Sequence, residues 1–302
     1  MDWNSPRVTS LIERALNEDH ALADATTLQT VAATQMAQAE IVAKQECVLA
    51  GLGLVPRVFE LFLSLGLKAG QAEQQPPVVV TSHPEIFDGV RLRPGQTVAV
   101  LRGPARSLLS CERVTLNLLQ RLGGIATLTR QFVDAVKGLP VRILDTRKTA
   151  PGMRVLDKYA VTCGGGHNHR ADLSDAILIK NNHIRLAGGI GAALGRAHQR
   201  RRAHQLIEIE VRTMEEIREA LEGGAERLLL DNMNPAQVRA AVALIAGRVP
   251  VEVSGGVRLD TVRAYAETGA QFISVGALTH SAPAVDLSMT IIPVGPLVPF
   301  SA

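Results

Sequence analysis

Between Val141 and Gly276, short apolar segments alternate with amphipathic helical segments. Six of the apolar segments have the length and the Val, Ile and Leu content of strands; they read VRILDT, DAILIK, LIEIEV, RLLLD, PVEVS and FISVG. Alternation of strand and helix is typical of parallel βαβ units. Such a chain folds either into an open doubly wound sheet or into an α/β barrel.

The distribution of polar residues favours the barrel. Polar residues and glycines follow successive strands, at Asp145-Thr146-Arg147-Lys148, Lys180, Asp231, Ser254-Gly255-Gly256 and Gly276. A barrel takes its functional groups from the ends of many strands, whereas a doubly wound sheet concentrates them at one switch point. We therefore predict an incomplete parallel α/β barrel with fewer than eight strands.

The region before the barrel has a different pattern. A helix is predicted over residues 7–18, and alternating runs between residues 30 and 104 predict strands interrupted by the helix LVPRVFELFLSLG. A long helical stretch follows Pro104 and is predicted to break at Gly123–Gly124. We predict an N-terminal α/β sandwich domain over 1–108, joined by the apolar tail 286–302, and a barrel domain over 109–285.

Composition excludes several classes of protein. Aromatic residues make up only 3% of the 302 residues, so the core is predicted to be aliphatic. The net charge is +3, and the basic run at residues 200–202 lacks the aromatic neighbours of a nucleic-acid surface, so we interpret it as a solvated helix end. No segment has the apolar length of a membrane span. The three cysteines are far apart, which argues against disulfides and predicts a cytoplasmic location.

The strand LIEIEV predicts a charged interior. Alternation places Glu208 and Glu210 on one face, which points into the barrel, and the isoleucines on the other. Two inward carboxylates need cations nearby, and Arg147, Lys148 and Lys180 follow the neighbouring strands. The alternative is a surface strand with one solvated face.

Glycine-rich segments predict anion binding. CGGGHNHR ends in Arg170, which can bind a carboxylate with two parallel hydrogen bonds; the alternatives are a flexible surface loop or, more weakly, a zinc site. Ser254-Gly255-Gly256 and Ser274-Val275-Gly276 follow the last two strands, where barrel loops commonly hold a phosphate. The run GGIGAALG lacks the glycine spacing of a dinucleotide site.

The central segment closely resembles the signature of quinolinate phosphoribosyltransferases. It reads DTRKTAPGMRVLDKYAVTCGGGHNHRADLSDAILIKNNHI, and ERVTLNLLQRLGGIAT, LLLDNM, VEVSGGV and FISVGALTHSAPAVDLS resemble other family segments in order. The resemblance extends from Leu16 to Ser288. It implies an N-terminal α/β sandwich with an incomplete barrel, and transfer of phosphoribose from phosphoribosyl pyrophosphate to quinolinate with loss of CO2, in NAD biosynthesis.

The resemblance also implies roles for individual residues. Carboxylate and ring contacts with quinolinate are implied for Arg147, His169, Arg170 and Lys180. Pyrophosphate contact is implied for Lys148, contact with the ribose hydroxyls and Mg2+ for Glu210 and Asp231, and 5′-phosphate contact for Ser254, Gly255, Gly256 and Gly276. Arg113 would complete the active site of the partner in a homodimer, which in turn either stands alone or builds a hexamer.

The chain departs from the family pattern at four positions, which are Ala21, Ala23, Gly123 and Asn181. Three alternative functions are a molybdenum-transport-associated relative of the same fold, a nicotinate phosphoribosyltransferase and a catalytically dead binding protein. The first tends to lack the GGGHNHR and Lys-Asn-His segments, both of which are present here.

Overall fold

A computed structural model describes residues 1–70 and 76–295. The chain forms two compact units. The first takes in Met1–Leu128, Ala150–Gly164 and the described residues from Ala282 onwards, and the second takes in Thr129–Thr149 and Gly165–Ser281. The domain bounds drawn from the sequence stay a prediction. No helix among the described residues is both long and apolar enough to cross a membrane.

The first unit is built on an antiparallel sheet. Numbered along the chain, its elements are α1 Pro6–Glu18, a 3-10 turn Ala21–Ala23, α2 Ala25–Thr30, β1 Met36–Ala43, β2 Cys47–Val48, α3 Leu54–Lys68, β3 Val79–Thr81, β4 Arg91–Leu92, β5 Thr97–Pro104, most of α4 Ala105–Ala135, α5 Arg154–Cys163 and, near the end of the chain, β12 Leu287–Val294. Among the described residues, one sheet has the order β12-β1-β5-β3 and a two-stranded sheet pairs β2 with β4. Along β1 every second residue is buried, so one face of the sheet packs against the core.

The C-terminal strand returns to the start of the chain. β12 runs antiparallel to β1, with Met36 opposite Val294 and Ala43 opposite Leu287. The apolar alternation of the tail therefore forms an outer strand of the first sheet. Residues 296–302 of the predicted tail lie outside the described residues.

The helix α4 continues without a break through Gly123 and Gly124, so the predicted break there is wrong. The two glycines allow close packing instead. A Cβ atom on Gly124 would lie 2.1 Å from the carbonyl oxygen of Pro283, and one on Gly123 would lie 2.8 Å from Cγ2 of Val285. Two glycines weaken a helix by only about 2 kcal/mol relative to alanines, which the packing of so long a helix overcomes.

The second unit is an incomplete parallel α/β barrel. Its strands are β6 Arg142–Leu144, β7 Ile177–Ile179, β8 Ile207–Val211, β9 Arg227–Asp231, β10 Val251–Ser254 and β11 Phe272–Ser274; its helices are α6 Asn181–Ala187, α7 Ile190–Arg200, α8 Met214–Glu222, α9 Pro235–Ile245, α10 Val262–Ala266 and α11 Ala277–His280. In the part of the chain that the structure describes, all six strands are parallel, in the order β6-β11-β10-β9-β8-β7. β6 and β7 are consecutive in sequence but form the two edges, so the barrel is open between them. This confirms the predicted fold class.

Alternation along β8 has the predicted direction. Ile207, Ile209 and Val211 are fully buried, on the face that packs against the helices α7 and α8. Glu208 and Glu210 therefore point to the opposite side, into the barrel. The alternative of a solvated surface strand is excluded, because Glu208 is only 2% exposed.

Candidate active site

A cavity of about 580 Å3 lies at the C-terminal ends of the barrel strands. All six strand ends contribute to it. The lining includes these residues predicted from the sequence: Arg147, Lys148, His169, Arg170, Lys180, Glu210, Asp231, Ser254, Gly255, Gly256 and Gly276. Arg113 is not part of this lining; it is exposed on α4.

The lining residues fall into three groups that follow pairs of consecutive strands. The cationic group, Arg147, Lys148, Arg170 and Lys180, follows β6 and β7. The carboxylate pair, Glu210 and Asp231, lies on β8 and β9. The glycine loops, residues 254–256 and Gly276, follow β10 and β11. The cavity therefore brings positive charge, negative charge and glycine backbone together around one opening.

Like charges lie close together in the cationic group. Burial and the nearby Arg147 guanidinium lower the pKa of Arg170, and Nε of Arg147 is buried without a hydrogen-bond partner. Arg170 donates through Nη1 to the carbonyl oxygen of Ala176 at 2.9 Å, which fixes its direction. Within residues 1–70 and 76–295, no member of the group forms a salt bridge with a carboxylate. Neighbouring cations of this kind are stabilised by a bound polyanion.

The segment that carries His169 and Arg170 is held to β6 by backbone hydrogen bonds. His167 N–H donates to Ile143 O at 2.8 Å, and Asp145 N–H donates to His167 O at 3.1 Å. The N–H of His169 then donates to the carboxylate of Asp145, which is fully buried, at 2.8 Å. The segment extends the open edge of the barrel as a single bridge. The alternative of a flexible surface loop is therefore wrong, since this backbone pairing fixes the direction of Arg170.

His169 lies above two buried carboxylates. Its Nε2 is 3.1 Å from Glu208 and 3.4 Å from Glu252. Burial opposes protonation of His169, but hydrogen bonds with Glu208 and Glu252 outweigh it and raise its pKa to about 9. The N–H of Arg170, however, points at Nδ1 at 2.7 Å, a contact that requires a lone pair there. The two carboxylates therefore favour a proton on Nε2, whereas the Arg170 contact opposes a second proton on Nδ1.

The side chains of His169, Glu208 and Glu252 offer ligand atoms within 4.8 Å of one another, as a metal site would. Arg227 adds a cation 3.7 Å from Glu252, and its guanidinium also packs over the ring of Phe272 at 4.4 Å. The Arg227 guanidinium thus supplies a protein cation to the cluster. We interpret it as a buried ionic support under the cavity, which holds His169 and hence the Arg170 backbone.

The carboxylate pair is bridged by an arginine that the sequence reasoning missed. Nη2 of Arg212 donates to Glu210 at 3.0 Å and to Asp231 at 2.7 Å, and its Nε donates to Asp231 at 3.0 Å. Burial and the nearby Asp231 raise the pKa of Glu210, and hydrogen bonding to Asp231 raises the pKa of Arg212. No local pattern singles out Arg212, because a charged residue after a strand is usually solvated.

The glycine loops have backbone conformations that few other residues adopt. Gly255 has φ +94°, and a Cβ there would lie 2.4 Å from Oδ1 of Asn232. Gly256 has φ +65° and Asn232 itself has φ 56°. Among the described residues, the N–H groups of Gly255, Gly256 and Gly276 donate no hydrogen bond within the protein. Backbone N–H groups presented in this way form anion sites.

Gly276 lets a lysine pass close to its backbone. A Cβ there would lie 3.0 Å from Cδ of Lys148. Thr279 fixes the backbone of the same lysine, since its Oγ1 donates to the carbonyl oxygen of Lys148 at 2.8 Å. The β6 and β11 ends are neighbours in the sheet, so a cation and a free N–H group meet at one side of the cavity.

Four polar residues of the lining were not singled out from the sequence, namely Asn232, Glu252, Arg258 and His280. Neither was Arg212, which is bonded to the carboxylate pair. Glu252 could have been predicted from the sequence. Alternation in VEVS places it on the other face of the strand from Val251 and Val253, as it places Glu208 on the other face from the isoleucines. The others lie in loops or in α11, where periodicity carries no information about direction.

Family models match nearly the whole chain. "Quinolinate phosphoribosyl transferase, N-terminal domain" matches residues 24–123, and "Quinolinate phosphoribosyl transferase, C-terminal domain" matches residues 125–290. The chain belongs to the quinolinate phosphoribosyltransferase family. The family's two domain descriptions meet next to Gly124, inside the continuous helix α4.

Individual relatives agree with this assignment. The chain is 40% identical over 288 residues to the "Probable nicotinate-nucleotide pyrophosphorylase [carboxylating]" of Bacillus subtilis (strain 168), covering 95% of this chain and 94% of that protein. It is 39% identical over 300 residues to the "Quinolinate phosphoribosyltransferase [decarboxylating] 2, mitochondrial" of Nicotiana glauca, covering 93% and 81%. The crystal structure of NadC from Streptococcus pyogenes superposes with a TM-score of 0.89 at 36% identity, covering 98% of this chain and 100% of that chain.

Proposed function

We propose that this protein transfers phosphoribose from phosphoribosyl pyrophosphate to quinolinate and releases pyrophosphate, CO2 and nicotinate mononucleotide, a step of NAD biosynthesis. Membership of the family and the activities for which its relatives are named support the reaction. The observation that carries the proposal for this chain is the cationic group, which forms no salt bridge with a carboxylate among the described residues. A planar dicarboxylate is the kind of ligand that would neutralise it.

The cationic group would bind quinolinate. Arg147 and Arg170 offer forked donors that match carboxylates, and Lys180 adds a third cation from the end of β7. Both ring nitrogens of His169 contact protein groups, so its contribution would be to hold Arg170 and to present its ring to the substrate. A direct contact between His169 and quinolinate stays a prediction.

The glycine loops and the carboxylate pair would bind phosphoribosyl pyrophosphate. The free N–H groups of Gly255, Gly256 and Gly276 suit the 5′-phosphate, together with Ser254. Glu210 and Asp231 would accept hydrogen bonds from the ribose hydroxyls. Lys148, which passes Gly276, would contact the pyrophosphate.

The carboxylate pair has a donor set that fits Mg2+. Carboxylate oxygens are the ligands that this ion prefers, and the side chains of Glu210 and Asp231 are only 12% and 13% exposed. Two largely buried carboxylates that share one arginine carry more negative charge than Arg212 alone offsets. When bound, Mg2+ would offset the negative charge that develops on the departing pyrophosphate.

The protein groups would then position and stabilise charge rather than react. Lys148 would stabilise the negative charge that develops on the leaving pyrophosphate as the bond between it and C1 of the ribose breaks. Glu210 and Asp231 stabilise the positive charge on the sugar, and the quinolinate nitrogen, held by Arg147 and Arg170, forms the new bond to C1. The resulting pyridinium stabilises the carbanion left at C2 when the 2-carboxylate departs as CO2, and a proton from solvent then bonds to C2. No protein nucleophile is required.

We further propose a cytoplasmic homodimer, alone or within a hexamer, in which Arg113 from the partner subunit completes each cavity. Arg113 is exposed on α4, which suits a contact with a second chain. The cysteines of the chain, Cys47, Cys111 and Cys163, are free thiols, as expected in a reducing compartment.

A substrate-dependence assay tests the proposed function. The protein is incubated with phosphoribosyl pyrophosphate, Mg2+ and either quinolinate or nicotinate, and pyrophosphate release and nucleotide product are followed. We expect turnover with quinolinate, with one CO2 released per nucleotide. Turnover with nicotinate alone would favour a nicotinate phosphoribosyltransferase. Binding without turnover would favour the dead binding protein or the molybdenum-associated relative.

A further inference from the structure

Arg212 occupies the position between the two carboxylates that face the cavity. A single nitrogen, Nη2, donates to both Glu210 and Asp231, at 3.0 Å and 2.7 Å. Its Nε adds a second hydrogen bond to the same Asp231 oxygen at 3.0 Å. The guanidinium therefore provides the positive charge that a divalent cation would otherwise provide to this pair.

The backbone of Arg212 is fixed, but its side chain is free to leave. The N–H of Arg212 donates to the Glu216 carboxylate at 2.6 Å, and Thr213 caps α8 by accepting from the N–H of Glu216 at 3.2 Å. The side chain is 48% exposed, whereas Glu210 and Asp231 are 12% and 13% exposed. Rotation of one half-exposed side chain is therefore enough to clear the pair, with no movement of β8 or α8.

We propose that Arg212 is an internal competitor of the divalent cation, which holds Glu210 and Asp231 together in the absence of metal and is displaced when metal binds. This rests on the part of the proposed function that assigns the metal to this carboxylate pair. Binding of a divalent cation is then an exchange of one cation for another. The exchange keeps a cation between the two carboxylates in both states, with one positive charge from Arg212 and two from the metal, and it weakens the binding of free metal.

Direct titration with Mn2+ tests the competition without substrates. Protein freed of metal with a chelator is titrated with MnCl2, and free Mn2+ is followed by electron paramagnetic resonance. Arg212→Met keeps the length of the side chain and removes its charge. It should bind Mn2+ about fivefold more tightly than the unmodified protein, the size expected on removal of two partly exposed ion pairs. Arg212→Lys, which keeps the charge without the fork, should give an intermediate affinity.

The matched control is Arg218→Met on α8. Arg218 has a similar exposure, 55%, and pairs only with Glu215, at 3.6 Å, among the described residues. It should bind Mn2+ as the unmodified protein does. In an Asp231→Asn background, the gain from Arg212→Met should largely vanish, because half of the contested pair is gone.

Several results would overturn the proposal. They are an Arg212→Met affinity equal to or weaker than that of the unmodified protein, an equal gain in Arg218→Met, or an undiminished gain in the Asp231→Asn background. Circular dichroism spectra identify any variant that fails to fold, and the charged Arg212→Lys then supplies the comparison. Since no substrate is present, absence of quinolinate-dependent turnover would contradict the proposed function and leave the Mn2+ result intact.

Discussion

The cationic group and the carboxylate pair face the same cavity but are built differently. Glu210 and Asp231 lie within the paired strands β8 and β9 and have a protein counter-charge in Arg212. Arg147, Lys148 and Arg170 lie in irregular segments beside the open edge of the barrel, and no carboxylate pairs with them in the described ranges. The carboxylates therefore have a protein cation bonded to them without ligand, whereas the cations form no salt bridge among the described residues.

The largest expected effect concerns whether the cationic group is complete within one chain. If Arg113 from the partner subunit contributes to it, Arg113→Ala and Lys180→Ala homodimers should each lose nearly all activity. Mixing them should restore up to about a quarter of the activity of the unmodified protein, since half of the dimers are mixed and each has one intact site. Pyrophosphate release measures the activity of each variant and of the mixture, and native mass spectrometry verifies subunit exchange. If fully exchanged mixtures stay inactive, the cationic group does not include a residue from the partner.

The second largest effect is expected on quinolinate binding, which the cationic group should determine separately from the rest of the cavity. Arg170→Ala should weaken quinolinate binding by about 2–5 kcal/mol, because it removes a forked, half-buried contact with a carboxylate. Binding of phosphoribosyl pyrophosphate should change little. Isothermal calorimetry with each substrate measures both, and Arg196→Ala, an exposed arginine on α7, is the control. Equal weakening of the two ligands would contradict the division into groups.

Removal of one charge from the carboxylate pair should lower turnover and leave quinolinate binding nearly unchanged. Asp231→Asn keeps the size of the side chain and removes one charge, so turnover should fall by about 100- to 1,000-fold. Quinolinate affinity should stay within about twofold, since Asp231 belongs to the other group. Steady-state kinetics at saturating Mg2+, with calorimetry for quinolinate, measures this. Near-normal turnover would exclude the proposed role of Asp231.

The smallest expected effect concerns the glycine loops. Gly255→Ala should weaken binding of phosphoribosyl pyrophosphate about tenfold, because alanine resists φ +94° by about 1–2 kcal/mol and its Cβ would meet Asn232. Quinolinate binding should change less. Gly95→Ala is the control for backbone strain alone, since Gly95 has φ +82° with nothing within 4 Å of its Cβ. If both variants bind phosphoribosyl pyrophosphate normally, the loop does not hold the phosphate.

Elements with strong periodicity could be predicted closely from the sequence. The helix predicted over 7–18 is α1 at Pro6–Glu18, and β8 lies within the predicted LIEIEV segment. The prediction that successive strand ends meet at one opening was correct, because parallel strands share the direction of their C-terminal ends. Glu210 and Asp231 could therefore be placed in the cavity with no knowledge of distances.

Features that depend on contacts between distant residues could not be predicted. The prediction of a break at Gly123–Gly124 rested on helix propensity. The helix is continuous, and the backbone of Pro283, which is distant in the sequence, packs against Gly124. Nε2 of His169 lies beside Glu208 and Glu252 on two other strands, which no spacing along the chain indicates, while its contact with quinolinate stays a prediction. In each case the partner belongs to another element.

The sequence by itself determined the order of strands and helices and the residue types at each strand end, because backbone periodicity and side-chain burial act over a few neighbouring residues. Only the tertiary structure decided which charges are paired. Arg212 meets Asp231 across nineteen residues of chain, while Arg147 and Arg170 approach each other with no carboxylate paired to either within the described part of the chain. Electrostatic energy depends on distance through space and on burial, and the spacing of residues along the chain specifies neither.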